Sequence, residues 1–560
     1  MKKPILLILA LIFAIGLFAQ HNEEVTIEGT YRPKVNKVDK IMIKAETPKQ
    51  SFEMPSAEVK VLDIEHRFPL ELDRVSALNY NGKNAQTPEA AKNFLMAGFG
   101  SRISPVFLYK HNSNLTKNLA LGVGVKHYSS WLDIAEYAPS SFMNNTFDFG
   151  LTSTKFNNLQ LGGGLYYKYD MCHYYGIKVD DVPAGFSIET MAPQQTYNTV
   201  GATFNLTSTN TRNGEFVHDL GLNYHYLFDE VCAVQEHAAR LDYDLGYVDS
   251  WWGSKDHPQK VGVALSTQAG RNYDGNERLI FKVNPYFEMK GAFYRLHLGV
   301  RMDGALDYET TNRLLTVHPD LKGSLLVLDN KLEFYAGLNG GRKLYTYRDL
   351  VEENPFVCSQ MDMRVTTEKL GFDGGVRAHV MPSMDIHVGV RYRQTENDLF
   401  YREKIHALGG GYPYCGYAPV YDETRHVNVL ADLRWLVTDK LTMDAGFAYH
   451  NYQMTNESHP WYRPATEGNL KLDYRLDEHW NFNTSLLYQG GRYAQSYDNG
   501  PCEEVRMKDV FDLGLGADYR VNDQLAVFVK ANNILHQKYQ LYYNYPVQGI
   551  QLFAGLKMRF

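Results

Sequence analysis

Phe511-Asp512-Leu513-Gly514-Leu515-Gly516-Ala517-Asp518-Tyr519-Arg520 alternates apolar and polar residues without a break. Successive side chains of an extended chain point to opposite faces, so one face of this segment is apolar and the other polar. The pattern recurs in Val427, Val429, Ala431, Leu433, Trp435 and Val437, opposed by His426, Asn428, Asp432 and Arg434, with Leu430 and Leu436 blurring it. It recurs in Leu441, Met443, Ala445, Phe447 and Tyr449, and in Leu552, Ala554, Leu556, Met558 and Phe560 at the chain's end. A soluble sandwich would alternate in the same way, with its apolar face turned inward. Three features turn that face toward lipid instead. Tyr and Phe gather near segment ends, charged residues occupy mid-strand positions of the polar face, and short connections alternate with long ones.

The short turns include Phe156-Asn157-Asn158, Asp329-Asn330, Pro382-Ser383, Thr438-Asp439-Lys440, Asp477-Glu478 and Asn522-Asp523, and long connections are expected near 131–145, 171–196, 344–366, 400–423 and 493–506. Twenty-one segments can be placed from 104 onward. A C-terminal strand running down to the periplasm then requires an upward strand before the first of them, for which Phe94 to Gly100 is the candidate. Single-chain bacterial barrels have even strand numbers. The expectation is therefore an all-β, transmembrane antiparallel β-barrel of about 22 strands (20–22), occupying 94–560.

Composition agrees with this reading and closes off others. The 560 residues include 40 Tyr and 45 Gly, and 22% are charged, with a net charge of −7. No collagen period or heptad run is present, and the acidic balance argues against a nucleic-acid partner. Met1 to Gln20 reads as a secretory signal peptide: Lys2 and Lys3, an apolar run from Ile5 to Phe18, then Ala19. The domains expected are a signal peptide at 1–19, a periplasmic segment at 20–93 and the barrel.

The residues next to the last strand carry a resemblance. Ala531-Asn532-Asn533-Ile534-Leu535-His536-Gln537-Lys538-Tyr539 is similar to the N-L-F-x-x-x-Y penultimate-strand signature of TonB-dependent receptors, particularly Bacteroidetes-type forms. Leu552 to Phe560 resembles that family's closing strand, whose outward set Leu552, Ala554, Leu556, Met558 and Phe560 would direct barrel assembly. Tyr347-Arg348-Asp349-Leu350 through Glu353-Asn354-Pro355, with Glu368, resembles its long mid-barrel loop, and Leu95 to Gly100 with Ser104-Pro105 resembles the start of its barrel. Glu24-Val25-Thr26-Ile27-Glu28-Gly29-Thr30 is similar to the family's TonB box, though it also reads as a simple edge strand. The resemblance implies residence in the cell outer membrane with a periplasmic N-terminus and contact with its lipid. It further implies uptake across that membrane, with a TonB-type energising protein and a surface lipoprotein as partners. It fails at the plug: residues 20–93, with Pro33, Pro48, Pro55 and Pro69, are too few for the globular domain that the family folds inside its barrel. That shortfall keeps a second reading open, a plugless barrel serving as a structural subunit of an outer-membrane complex for export or envelope-protein assembly.

Chemistry-bearing motifs are sparse. No catalytic spacing nominates an enzyme, and no cofactor or metal is expected. Cys172-His173 lacks metal-site spacing, and the other cysteines, Cys232, Cys358, Cys415 and Cys502, read as lying in outer connections where disulfides can form. Tyr412, Tyr414, Tyr417 and Tyr421 in the expected 400–423 loop are candidate ligand-stacking aromatics, with a membrane girdle or loop packing as the competing reading.

Overall fold

The computed structural model describes residues 92–560 apart from 157, 183–184, 210–212, 232, 253–256, 273–276, 307–314, 329–330, 359–362, 409–411 and 497–502. The expected signal peptide and nearly all of the N-terminal segment, including Glu24 to Thr30, lie outside the described residues.

Twenty-two strands form one antiparallel sheet. The first, Asn93–Gly100, pairs on one side with Ser104–Thr116 and on the other with the last, Gln551–Arg559, so the sheet closes on itself. Closure satisfies every ladder inside the chain and leaves no sheet edge in contact with lipid. The strand number and the closing pair Phe94 to Gly100 with the C-terminal segment are those expected from the alternation.

One end of the barrel carries short turns, several of them stabilised by a polar side chain accepting from the backbone ahead of it. Asp477 Oδ1 accepts from the N–H groups of His479 and Trp480 (2.8 and 2.8 Å), and Asn522 Oδ1 from those of Gln524 and Leu525 (2.9 and 2.8 Å). Thr438 Oγ1 does the same for Lys440 and Leu441. Asp, Asn and Thr suit these places because their short side chains imitate a backbone turn. Short turns mark the periplasmic end of such a barrel.

The two faces separate as the alternation requires. On the strand Leu315–Val327, Val317 and Leu325 point outward and are 63% and 53% exposed, whereas His318 and Asp320 point into the lumen and are 5% and 3% exposed. Side chains this apolar on an outer surface are stable in hydrocarbon, which makes the structure a transmembrane barrel. Trp251, Trp252, Phe293 and Trp480 stand exposed at the periplasmic rim, and Trp480 stacks on Phe482 at 5.7 Å between ring centroids. Amphipathic rings favour that depth of a bilayer.

The seam between first and last strands has its own packing. Phe528 and Phe553 turn inward and cluster with Met96, Val106, Leu108, Tyr128 and Phe142. They lie over Gly98 and Gly100, and a Cβ at Gly555 would run into the backbone of Ala97 and Gly98, so the close approach of the two strands requires glycine there.

Two departures from the sequence reading sit at the opposite end. The stretch 400–423 is not a loop: Met384–Leu408 and Tyr412–Thr438 are strands of 25 and 27 residues that continue pairing beyond the barrel as a two-stranded ribbon, through Asp398↔Asp422 to Leu408↔Tyr412. The connection after Leu344 is long, as expected, but contains a helix, Tyr347–Glu353.

Candidate functional site

The helix exists because its N-terminus is doubly capped. Thr346 Oγ1 accepts from the N–H of Asp349, and Asp349 Oδ2 accepts from the N–H of Thr346 (3.1 and 2.9 Å), a reciprocal pair that uses two otherwise orphaned donors. Two further donors go to the barrel wall. Glu236, fully buried on the strand Gln235–Asp249, accepts from the backbone N–H groups of Tyr347 and Arg348, and pairs with the His225 ring at 3.1 Å. A carboxylate at a helix N-terminus also opposes the partial positive charge there.

The rest of the helix is tied to the wall by its side chains. Tyr347 donates its hydroxyl to Asp229 (2.7 Å), and Arg348 donates to the Tyr166 hydroxyl (2.8 Å). Lys168 and Arg348 both reach Glu352 (2.7 and 3.3 Å), and Arg463 reaches Glu353 (3.1 Å). Burial pushes Glu352 up, but Lys168 and Arg348 outweigh it and hold the carboxyl below the usual carboxylate range. Beyond the helix, the chain pairs with the ribbon: Tyr417 N–H donates to the Phe356 carbonyl and Cys358 N–H to the Tyr417 carbonyl (2.8 and 2.7 Å).

Around this segment the outer connections pack into one apolar cluster. It includes Tyr174, Tyr197, Tyr347, Phe356, Phe400, Tyr401, Tyr417, Trp461, Tyr462, Tyr542 and Tyr545, contributed by the outer connections, the ribbon and the outer end of the strand Gln194–Ser208. Phe356 stacks on Tyr545 at 3.8 Å, and Tyr417 stands edge-on to Tyr462 at 5.5 Å. The rings supply area and their hydroxyls satisfy loop carbonyls: Tyr174 to Val357 (2.9 Å), Tyr197 to Pro355 (2.7 Å), Tyr542 to Glu353 (2.9 Å), Tyr175 to Pro546 (3.0 Å) and Tyr417 to Tyr543. Irregular chain can be buried only when such acceptors find donors. The result is a cap that bridges the extracellular mouth.

Beneath the cap lies a cavity of about 1210 Å³. Ten Arg and Lys line it against seven Asp and Glu, the reverse of the chain's net charge of −7. Much of that charge is paired, as in Arg393 with Asp373 and Glu368 (2.8 and 3.1 Å). No cluster of three or more His, Cys, Asp or Glu with metal-holding geometry occurs among the described residues.

The candidate aromatics separate in this arrangement. Tyr417 is fully buried in the cap, and Tyr421 is half-buried with its hydroxyl accepting from the N–H of Arg364 (3.1 Å). Tyr412 and Tyr414 lie at the ribbon tip on the strand Tyr412–Thr438. None of the four stands in a loop. Leu552, Ala554 and Leu556 face outward on the closing strand, as does Phe560 just after it, with Met558 partly covered, and the Asn93 N–H donates to the Phe560 carbonyl at 2.8 Å where the first and last strands meet. Cys172 and Cys358 both lie at the cap, with the Cys172 thiol 3.9 Å from the Pro355 carbonyl, and Cys415 lies on the ribbon opposite Ile405. Cys232 and Cys502 are outside the described residues. Glu236 and the capped helix were missed in the sequence, although the T-x-x-D spacing of Thr346 and Asp349 was available.

No protein-family model and no curated protein sequence matches the chain. Solved structures do. The ferric-catecholate import receptor Fiu from K12 E. coli matches with a TM-score of 0.61 at 10% identity, over 84% of this chain and 82% of that one. The siderophore receptor PirA from Acinetobacter baumannii gives 0.63 at 10% identity, over 84% and 80%. The copper transporter OprC gives 0.57 at 13% identity, again over 84% and 80%. The chain shares the fold of these receptors, a closed 22-stranded barrel with an apolar outer face.

Proposed function

We propose that this barrel is a gated receptor for uptake across the outer membrane, energised by a TonB-type periplasmic partner that engages Glu24 to Thr30. The observation that carries the reading is the cap: connections from around the barrel fold together over a charged cavity, an arrangement suited to admitting a selected solute and unsuited to free diffusion. The neighbours in fold are import receptors for ferric catecholates and siderophores and a transporter for copper, which supports uptake as the class of activity. A surface lipoprotein seated on the cap is compatible with this role. The test is growth of a strain lacking the gene on media where iron, copper or another single nutrient is limiting. A defect in one of these conditions, restored by the full chain and not by a chain deleted for Glu24 to Thr30, is expected. Growth equal to the parent under every limitation would overturn the uptake reading, and full restoration by the deleted chain would overturn the energising link.

A further inference from the structure

The barrel wall is short where its two ends meet. The strands at and beside the seam, Asn93–Gly100, Gln551–Arg559 and Leu525–Asn532, have 8, 9 and 8 residues, whereas Phe142–Phe156, three strands further round, has 15. At about 3.3 Å per residue and a tilt of about 40°, a strand of that length rises about 20 Å, against an apolar band of about 25 Å. Something other than strand has to complete the band there.

Phe99 and Leu552 end the outward-facing rows of the two closing strands, and both are exposed. Beyond them, on the outer connections, Ile103, Trp131, Leu132, Leu535 and Ile550 are exposed as well. Hydrogen bonds join these connections into one surface. Trp131 N–H donates to the Arg102 carbonyl and the Gln548 side chain to the Leu132 carbonyl (3.4 and 3.4 Å), Ile550 N–H donates to His536 Nδ1 (3.2 Å), and Ser101 N–H to the Leu552 carbonyl (2.8 Å). Backbone groups that a loop ordinarily leaves to water are thereby taken up within the chain, which irregular chain at membrane depth requires. Ile103 adds a separate observation. Its φ of 49° is left-handed, a conformation that a β-branched residue rarely adopts and that asparagine or glycine would fill at less cost. A half-exposed isoleucine at such a turn is out of place in water and suited to hydrocarbon.

From this placement we infer that the outer end of the seam is a lipid-contact surface, in which Ile103, Trp131, Leu132, Leu535 and Ile550 complete the apolar band against acyl chains of the outer leaflet. The patch continues the lipid-facing rows that end at Phe99 and Leu552, which favours lipid over a protein as its occupant. Its neighbours in sequence, Arg102, Asp133 and His536, set its depth. Polar and charged groups interleaved with apolar ones belong at the boundary with the head groups, where an indole is also favoured. The barrel thereby keeps a full apolar girdle at the one joint that strands of eight and nine residues close. This holds whether or not the barrel imports a solute.

Fluorescence quenching tests it, with the purified full chain in phosphatidylcholine vesicles whose acyl chains are brominated either near the head group or near the chain end. Trp251→Phe, Trp252→Phe, Trp435→Phe and Trp480→Phe together leave two indoles, Trp131 on the patch and Trp461, 1% exposed inside the cap. Adding Trp131→Phe to that variant gives the Trp461 baseline. Trp131 should lose most of its emission to bromine near the head group and less to bromine near the chain end, while Trp461 loses little to either. Retention of the heat-modifiable barrel band on gels shows that each variant has folded. If the multiple variant fails that check, the difference between the parent and Trp131→Phe, which alters one exposed side chain, reads the same quenching. Trp131 emission insensitive to both brominated lipids overturns the inference. Quenching by aqueous iodide would then identify a surface left to water and open to a protein partner, and protection from iodide as well would identify a contact with a second copy of the chain.

Discussion

Replacing Glu236 with Ala should open the cap while sparing the barrel. In the native chain this carboxylate takes the backbone N–H groups of Tyr347 and Arg348 and faces the His225 ring. Ala leaves both amides without an acceptor. An orphaned buried donor costs about 1–3 kcal/mol. Tyr347 is 1% exposed and bears the full penalty, whereas Arg348 borders the cavity, where water relieves part of its own. The expected sum is about 2–4 kcal/mol, equivalent to an increase of about 30- to 1000-fold in the opening of the helix. Hydrogen exchange of residues 346–358, followed by mass spectrometry on the barrel in lipid nanodiscs, reads that ratio directly, because these amides exchange through local opening. Glu236→Gln keeps one acceptor and loses the charge opposite the helix N-terminus, so it should fall between the parent and the Ala variant, at about fivefold. Exchange in the Ala variant within threefold of the parent, with the barrel strands equally protected in both, would show that Glu236 does not hold the helix in place.

Three further outcomes follow from the same contacts. Because Lys168 and Arg348 hold the Glu352 carboxyl below its usual range, its contribution to the cap is present above the ordinary carboxylate pKa of about 4.3 and is lost as pH falls through the depressed value. Protection of the helix, with the intrinsic slowing of amide exchange in acid divided out, should therefore fall between about pH 5 and 3 more steeply in the parent than in Glu352→Gln, and identical profiles would remove Glu352 from the account. Tyr417→Phe deletes the donor to the Tyr543 carbonyl inside the cap and should cost about 1–2 kcal/mol, seen as faster proteolysis of the 533–550 connection without loss of the barrel; unchanged proteolysis would mean the bond is not needed. Gly555→Ala drives a methyl group into the Ala97 carbonyl across the seam and should destabilise closure by about 1–3 kcal/mol, measured as a lower unfolding temperature of the heat-modifiable band, and a temperature unchanged from the parent would contradict the packing described there.

The barrel was legible because its strands answer to one external constraint repeated around the wall. Phe511, Leu515 and Tyr519 have to meet lipid while Asp512 and Asp518 cannot, so the period of two survives in the sequence and the parity of the count follows. The ribbon was not legible for the complementary reason. Beyond Thr395 and Thr424 no membrane sorts the side chains. Tyr412-Pro413-Tyr414, Pro419 and the run Gly409–Gly411 carry turn-forming residues that read as a loop, although Asp398 to Leu408 is held to Tyr412 to Asp422 by a regular ladder. The cap was hidden further still. Its partners lie far apart in the chain, such as Tyr174 with Val357 and Tyr417 with Tyr543, and nothing local distinguishes a tyrosine that will donate to such a carbonyl from one that will lie at the bilayer surface.

The abundance of tyrosine then has two separate causes. At the barrel's outer surface Tyr449, Tyr474 and Tyr519 are exposed, where a ring with a polar edge suits the boundary between hydrocarbon and water. In the cap, Tyr174, Tyr197, Tyr417 and Tyr542 are buried, and their hydroxyls take up carbonyls that the irregular connections cannot pair among themselves. Phe would provide the area and leave those acceptors orphaned, while Ser would satisfy an acceptor and provide no area. A folded stopper made of loops needs both properties from one rigid side chain, and Tyr combines them at a low cost in conformational entropy. An open pore has no use for the second group of tyrosines. Their presence, with each of the four hydroxyls on a carbonyl of the 347–358 segment or of the 533–550 connection, is therefore the strongest physical argument that the cap is a folded part of this protein.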